Sequence, residues 1–186
     1  TIPVGEDKAL LEISDRLRAS ETRLIVAFGG YNGQELALAC GNVAELQHQE
    51  VIQRYRPWAV DFDIEHSALG DVRSIERRSQ AIRKIQEANS GLRVFLTLPT
   101  EHGGLPEASL NVLRSAVAHG IEIAVVNLMT MNYGPPTGVE RLSVSAINAA
   151  GAADKQLSRL GVSAGLGITP MIGKNDVAGE TFSLDD

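Results

Sequence analysis

The 186-residue sequence is poor in several features that mark particular classes of protein. Its single cysteine, Cys40, excludes an internal disulfide. No apolar run reaches the roughly 20 residues that a transmembrane helix requires. The net charge of −6 argues against nucleic acid as a partner, because phosphate binding requires clustered Lys and Arg. With four Phe, three Tyr and one Trp, the chain offers few rings for ligand stacking.

What the sequence does contain is a regular alternation of apolar and amphipathic segments. Hydrophobic residues make up 44% of the chain, which is enough for a globular core. Nearly continuous apolar runs predict buried strands, and the periodic polar segments between them predict helices. The predicted strands are 23–30, 58–65, 92–99, 121–131 and 162–173, and the predicted helices are 6–20, 43–55, 71–91, 106–120 and 138–161.

Strands that are apolar on both faces are typical of a parallel sheet covered by helices, so the predicted fold class is α/β. Two architectures fit the pattern: an open doubly wound sheet and a parallel (β/α)8 TIM barrel. A complete barrel takes roughly 250 residues, whereas this sequence holds about five βα units. If the fold is a barrel, we expect residues 1–186 to be one part of it, truncated at both ends and without an internal domain boundary.

The segment PWAVDFDIEH, residues 57–66, carries acids at alternate positions of an apolar strand. Because side chains on a strand alternate between its faces, Asp61, Asp63 and Glu65 are predicted to share one face. Such a row fits a solvated acidic edge strand, a Mg²⁺ or Mn²⁺ site built on Asp61 and Asp63, or a catalytic centre. In both candidate architectures ligands bind at the C-terminal ends of the strands, where this row lies.

The other predicted strands also end in polar or glycine-rich segments. These are FGGYNG after the first strand, residues 97–101, NLMTMNYG at 127–134, and TPMIGKND at 169–176. Together they predict a rim that suits a small polar ligand. FGGYNG is not followed by the Lys-Ser/Thr pair of a phosphate-binding P-loop.

At this point the residues resemble a known family. DFDIE resembles the D-x-D-x-E signature of glycoside hydrolase family 18, the chitinases and endo-β-N-acetylglucosaminidases. AFGGYNG, VNLMTMNYG and GITPMIGKND are similar, in the same chain order, to the family's third-, sixth- and seventh-strand segments. The resemblance spans nearly the whole chain and implies a TIM barrel represented by its third to seventh strands.

The resemblance implies hydrolysis of β-1,4-linked N-acetylglucosamine by a retaining, substrate-assisted mechanism. Glu65 would be the general acid, and the nucleophile would be the substrate's own acetamido oxygen. Asp63 would hold the acetamido N–H, and Asp61 would share a proton with Asp63, which relieves the repulsion within the row.

Substrate-binding residues are also implied by the resemblance, on three of the strand ends. Asn132 would hydrogen-bond the acetamido group, and either Tyr133 or Met131 would line the pocket beneath the sugar. The implied substrate-binding set comprises Asn132, Tyr133, Met131, Met129, Gly30 and Tyr31. Gly29 and Gly30 would let their strand approach the acidic strand closely.

Two positions depart from the family pattern. Trp58 stands where a first Asp is common, and Ala27 stands where Ser is usual, which removes a hydroxyl near the acids.

The resemblance also implies the setting of the activity: no cofactor, and chitin or an N-acetylglucosamine oligosaccharide as substrate. We also expect no metal, because no His or Cys stands at a matching place, and no nucleic-acid or membrane partner, because of the net charge and the short apolar runs. It implies a secreted bacterial protein that is a monomer when full length. The alternatives are a non-catalytic chitin- or glycan-binding relative and a metal-dependent α/β enzyme that uses Asp61 and Asp63.

Overall fold

Five parallel strands form the central sheet of the computed structural model, which describes residues 6–32, 35–40, 48–134 and 141–186. The strands of this sheet are β1 (Ile25–Gly29), β2 (Ala59–Asp63), β3 (Arg93–Pro99), β4 (Ile123–Met129) and β5 (Gly165–Thr169). The described helices are α1 (Lys8–Ala19), α2 (Leu36–Ala39), α3 (Gln49–Tyr55), α4 (Ser67–Gly70), α5 (Val72–Ala88), α6 (Glu107–Ala118) and α7 (Leu142–Leu160). The predicted α/β class with a parallel sheet is confirmed. Of the predicted helix 43–55, residues 43–47 lie outside the described residues, as do 138–140 of the last helix.

The spatial order of the strands follows the order of the chain, β1-β2-β3-β4-β5. A doubly wound sheet reverses its strand order at a switch point, and none occurs among the described strands. The sheet therefore has the singly wound order found in the wall of a β/α barrel. Ile25 on β1 and Ile168 on β5 are each more than 40% exposed at the two edges of this sheet.

The hydrophobic core lies between the sheet and the helices. On β2, Val60, Phe62 and Ile64 are at most 1% exposed and face this core, because they alternate with the acids. Helix α5 contributes Ile75, Ile82 and other residues of its apolar stripe. Burial of each such side chain stabilises the fold by about 1.5–3 kcal/mol.

The ends of the helices follow local signals in the sequence. Helix α1 begins after Asp7, whose side chain accepts a hydrogen bond from the Leu10 N–H at 2.9 Å. Helix α7 ends at Gly161, which adopts a left-handed φ of 69°. Within the described residues, no helix is both long enough and apolar enough to cross a bilayer.

The last predicted strand, 162–173, is divided in the structure. Strand β5 ends at Thr169, and Pro170, which has no amide to donate, follows it. The chain then forms a short antiparallel hairpin from β6 (Gly173–Lys174) and β7 (Thr181–Phe182). This hairpin lies at the C-terminal end of the parallel strands and borders the site described next.

Candidate active site

The three acids of PWAVDFDIEH lie on the face of the sheet that is turned away from the helices. Strand β2 ends at Asp63, two residues earlier than the predicted strand, but the Ile64 N–H still donates to the Thr97 carbonyl at 3.1 Å. The chain therefore stays extended to Glu65. Asp63 and Glu65 line one cavity of about 470 Å³ at the C-terminal ends of the strands, while Asp61 lies one step deeper.

Strand β1 approaches the acidic strand more closely than any side chain would allow. Gly29 pairs with Asp63 and has a φ of +100°, and a Cβ there would lie 2.1 Å from the Asp63 carbonyl oxygen. The Gly30 N–H donates to the same oxygen at 3.0 Å. Gly30, predicted to bind substrate, is not among the residues that line the cavity. It instead fixes the backbone of Asp63.

The carboxylate of Asp61 is held by a hydroxyl from β3. Thr97 Oγ1 donates to it, lying 2.9 and 2.8 Å from its two oxygens. On the other side Asp61 is paired with Ala27 of β1, which has no polar side chain. Burial raises the pKa of Asp61, and the Thr97 hydrogen bond acts in the opposite direction.

Asp63 has a different environment. Its Oδ1 is buried and has no hydrogen-bond partner. Burial, then the charge of Glu65, then that of Asp61 raises the pKa of Asp63 to about 6. No hydrogen bond joins the described carboxyl groups of Asp61 and Asp63, so the predicted sharing of a proton between them stays a prediction.

The remaining wall of the cavity comes from the ends of the neighbouring strands. Met129, Met131, Asn132 and Tyr31, all predicted to bind substrate, line it. Tyr31 is 70% exposed, and its ring meets the ring of His66 at 4.8 Å. His66 also lines the cavity and has a φ of 49°, which is uncommon outside glycine and turns the chain directly after Glu65.

The side-chain amide of Asn132 is used within the protein. Its oxygen accepts from the Asp176 N–H at 3.0 Å and from the Val177 N–H at 3.4 Å, and its nitrogen donates to the Asp176 carboxylate at 3.2 Å. Asn132 therefore joins the segment after β4 to the turn of the β6–β7 hairpin. The predicted contact of this amide with an acetamido group would compete with these bonds.

Tyr133, predicted as an alternative to Met131 in the pocket, does not line the cavity. Its ring stacks on His102 at 4.7 Å, and its N–H donates to Glu180 Oε2 at 3.2 Å. Burial, and then the charge of Glu180, raises the pKa of Tyr133 to about 12. Met131 is the residue of this pair that faces the cavity, because the left-handed φ of 55° at Asn132 redirects the chain between them.

Sequence reasoning missed a second connection between the segment after β4 and the turn of the β6–β7 hairpin. Glu180 is only 2% exposed, and its Oε2 accepts from Tyr133 and, at 3.1 Å, from the side chain of Asn175. Met171 and Asp176, which follow β5, also line the cavity. The polar segment GKND was a visible signal for a functional rim, but nothing local in the sequence pairs it with Glu180.

Trp58, the departure from the family pattern, lies away from the site. Its ring contacts Phe95 at 5.9 Å and lies between the guanidinium groups of Arg23 and Arg93, at 4.7 and 4.5 Å. A second hollow of about 590 Å³ adjoins it at the N-terminal end of the strands and contains none of the three acids. The described residues include no group of three or more His, Cys, Asp or Glu arranged to hold a metal ion.

Comparison with known proteins adds relatives to this geometry. No protein-family model matches the sequence. The chain is 35% identical over 190 residues to a probable bifunctional chitinase/lysozyme of Escherichia coli K12, covering 91% of this chain and 21% of that protein. It is also 35% identical to endochitinase 11 of Metarhizium anisopliae, covering 91% of this chain and 36% of the relative. The chain is a homologue of chitinases.

Solved structures similar to this chain also include chitinase domains. Active domain 2 of a Pyrococcus furiosus chitinase matches 98% of this chain with a TM-score of 0.82 and 26% identity. The match covers 62% of the Pyrococcus chain, and a structure of that domain complexed with chito-oligosaccharides matches with a TM-score of 0.81. The resemblance predicted from the sequence is confirmed. This chain spans about a fifth of the length of the Escherichia coli relative and about a third of the length of the Metarhizium relative.

Proposed function

We propose that this chain supplies the catalytic centre of a glycoside hydrolase that cleaves β-1,4-linked N-acetylglucosamine in chitin or chitooligosaccharides. The observation that carries the proposal is the placement of Asp63 and Glu65 side by side in one cavity at the C-terminal ends of parallel strands. The relatives named as chitinases, and the Pyrococcus domain that has been complexed with chito-oligosaccharides, support the choice of substrate.

The proposed mechanism is substrate-assisted and retains the anomeric configuration. Glu65 donates its proton to the glycosidic oxygen as the bond to the anomeric carbon breaks. The acetamido oxygen of the same sugar attacks that carbon and forms a cyclic oxazolinium ion. Asp63 accepts the acetamido N–H and offsets the positive charge that develops. Glu65, now ionised, takes a proton from water, which opens the ring and restores the acid.

The electrostatics of the row support this division of roles. A general acid must hold a proton near neutral pH, and the anionic form of a neighbouring carboxyl favours that proton. Asp63 and Glu65 are close enough for the charge of Glu65 to raise the pKa of Asp63. The row therefore keeps a proton, on Asp63, to higher pH than an isolated aspartate does.

The proposal includes the completion of the barrel by further chain. The singly wound order of β1 to β5 and the match to 62% of the Pyrococcus chitinase chain support it. The uncovered apolar side chains at both edges of the sheet, Ile25 and Ile168, would pack against the added strands.

The test is hydrolysis of a chromogenic chitobiose by the complete protein and by its Glu65→Gln variant. We expect the variant to lose roughly 10²- to 10⁴-fold in rate, because one general acid contributes about that much. The matched control is Glu50→Gln, an exposed acid on α3, which should retain full activity. Activity that persists in Glu65→Gln would contradict the assignment, and binding without turnover by the unaltered protein would indicate a non-catalytic relative.

Two further arms test the chemistry. Addition of EDTA should leave the rate unchanged, and loss of activity to EDTA would favour a metal-dependent reaction instead. The corresponding substrate without N-acetyl groups should not be cleaved, because it lacks the internal nucleophile. Cleavage of that substrate at a comparable rate would contradict the substrate-assisted step.

A further inference from the structure

A line of hydrogen-bonded side chains crosses the inner face of the sheet from β5 to the acidic strand. Thr169 Oγ1 lies 3.1 Å from Asn127 Oδ1 and 2.8 Å from Asn127 Nδ2. Asn127 Nδ2 lies 3.1 Å from Thr97 Oγ1, which in turn contacts both carboxylate oxygens of Asp61. Thr97 is 6% exposed, so water does not replace these contacts easily.

From Asn127 to Asp61, the donors along this line all point toward the Asp61 carboxylate. Thr97 accepts a hydrogen bond from Asn127, and it has one hydroxyl proton of its own to donate. Asp61 is the acceptor within reach of that proton. Between Asn127 and Thr169 the hydrogen bonding runs in both directions, because Asn127 Nδ2 donates to Thr169 Oγ1 at 2.8 Å and Thr169 Oγ1 donates to Asn127 Oδ1 at 3.1 Å. The line therefore delivers a polarised O–H to the Asp61 carboxylate, which stabilises its charged form.

The two aspartates thus differ in their hydrogen-bond donors. Asp61 has this donor, whereas Asp63 Oδ1 is buried without one. The titratable group close to Asp61 on the same strand is Asp63, and Glu65 lies beyond Asp63 on the same segment. The neighbouring strands present uncharged side chains to Asp61: Ala27 from β1, and Phe95 and Thr97 from β3.

We propose that Thr97 is a positioning residue that keeps Asp61 the ionised member of the pair, so that the proton retained between the two aspartates resides on Asp63. The hydroxyl reaches Asp61 from β3, on the side opposite Ala27, where the family pattern more often has a serine. The structure thus supplies from one neighbouring strand the polar contact that the other lacks. The effect of Thr97 on hydrolysis, but not its effect on the two carboxyls, rests on the proposed function.

The direct test is a pH titration of the aspartate side-chain carboxyl carbons by ¹³C NMR in the complete protein. The two signals are assigned with Asp61→Asn and Asp63→Asn. In Thr97→Val, which removes the hydroxyl but keeps the shape, the Asp61 midpoint should rise by roughly one pH unit, because a hydrogen bond to a charged group is lost. The Asp63 midpoint should move down, because a neutral Asp61 no longer repels its charge.

Control variants separate this role from general support of the fold. Thr97→Ser restores the hydroxyl and should restore both midpoints, and Thr22→Val removes an exposed hydroxyl from the α1–β1 connection and should change neither. Thr169→Val changes an exposed residue that is two hydrogen bonds away from Thr97, through Asn127. It should therefore give shifts of the same signs and smaller size even if Thr97→Val does not fold.

The pH profile of chitobiose hydrolysis gives the second readout. Asp63 must be ionised to accept the acetamido N–H, so the acid limb of kcat/KM should move to lower pH in Thr97→Val. Unchanged midpoints, or midpoints of Asp61 and Asp63 that move in the same direction, would overturn the proposal. If the unaltered protein hydrolyses nothing while the midpoints shift in opposite directions, the proposed function fails and the role of Thr97 stands.

Discussion

Replacement of Asp63 by Asn is expected to stabilise the protein at neutral and alkaline pH but not in acid. Burial and the neighbouring acids raise the pKa of Asp63 from its ordinary 3.8 to about 6. The folded protein therefore retains a proton that the unfolded chain has already lost between these two values. The free energy of unfolding falls as the pH rises through this window, and the penalty is complete above it.

The size of the effect follows from the same pKa. A rise from 3.8 to about 6 corresponds in full to about 3 kcal/mol. Asp63 is only partly buried, so solvent screening reduces the penalty to about 1–2 kcal/mol. Asn has the shape of the protonated acid and cannot ionise. It removes the penalty above the window and has nothing to remove below it.

The assay is urea unfolding of the complete protein and of Asp63→Asn at about pH 4 and about pH 8, with the slope of the transition checked for constancy. The control is Asp154→Asn, an exposed acid on α7, which should not distinguish the two conditions. A gain in stability that is equal at both pH values, or a loss at the higher one, would refute the reasoning that the charge on Asp63 is destabilising.

Two predictions concern the backbone and loops around the cavity. Glu180→Leu leaves two donors, the Tyr133 N–H and the Asn175 side chain, without an acceptor. We therefore expect the free energy of unfolding in urea to fall by about 2 kcal/mol in Glu180→Leu and by less in Glu180→Gln. Equal stability of Glu180→Leu and the unaltered protein would contradict this. Gly29→Ala should lower the free energy of unfolding by about 3 kcal/mol or more, because its methyl group would collide with the β2 backbone. Gly91→Ala, at a φ of +83° with open space around it, should lower it by only about 1–2 kcal/mol. Similar losses for both variants would argue against the close approach of the strands.

The carboxylate row could be predicted from the sequence because its cause is local. Alternation along a strand places Asp61, Asp63 and Glu65 on one face whatever the rest of the chain does, and burial of the opposite face by residues such as Phe62 fixes which face is which. Strand order was also accessible, since a regular βα repeat favours sequential neighbours.

The choice between Met131 and Tyr133 could not be made from the sequence because alternation stops where the strand stops. Strand β4 ends at Met129, and the left-handed φ of Asn132 then turns the chain so that Tyr133 faces His102. Asn adopts a positive φ more often than most non-glycine residues do, but the residue type alone does not show that Asn132 does so here.

The contacts of Asn132 with Asp176 and of Thr97 with Asp61 were inaccessible for another reason. The partners are 44 and 36 residues apart, and only the folded sheet brings them together. The short hairpin of β6 and β7 was likewise hidden, because each of its strands holds only two residues and gives no periodic pattern in the sequence.

Two sets of hydrogen bonds join the segment after β4 to the β6–β7 hairpin, and they make this side of the cavity stiffer than the facing side. Asn132 accepts a hydrogen bond from the Asp176 N–H, and Glu180 accepts one from the Tyr133 N–H, so outward movement of either segment would break these hydrogen bonds. On the facing side of the cavity, the segments after β1 and β2 meet through the contact between the rings of Tyr31 and His66. Under the proposed function, a chitooligosaccharide in the cavity would contact one side joined by several hydrogen bonds and a facing side joined by a ring contact.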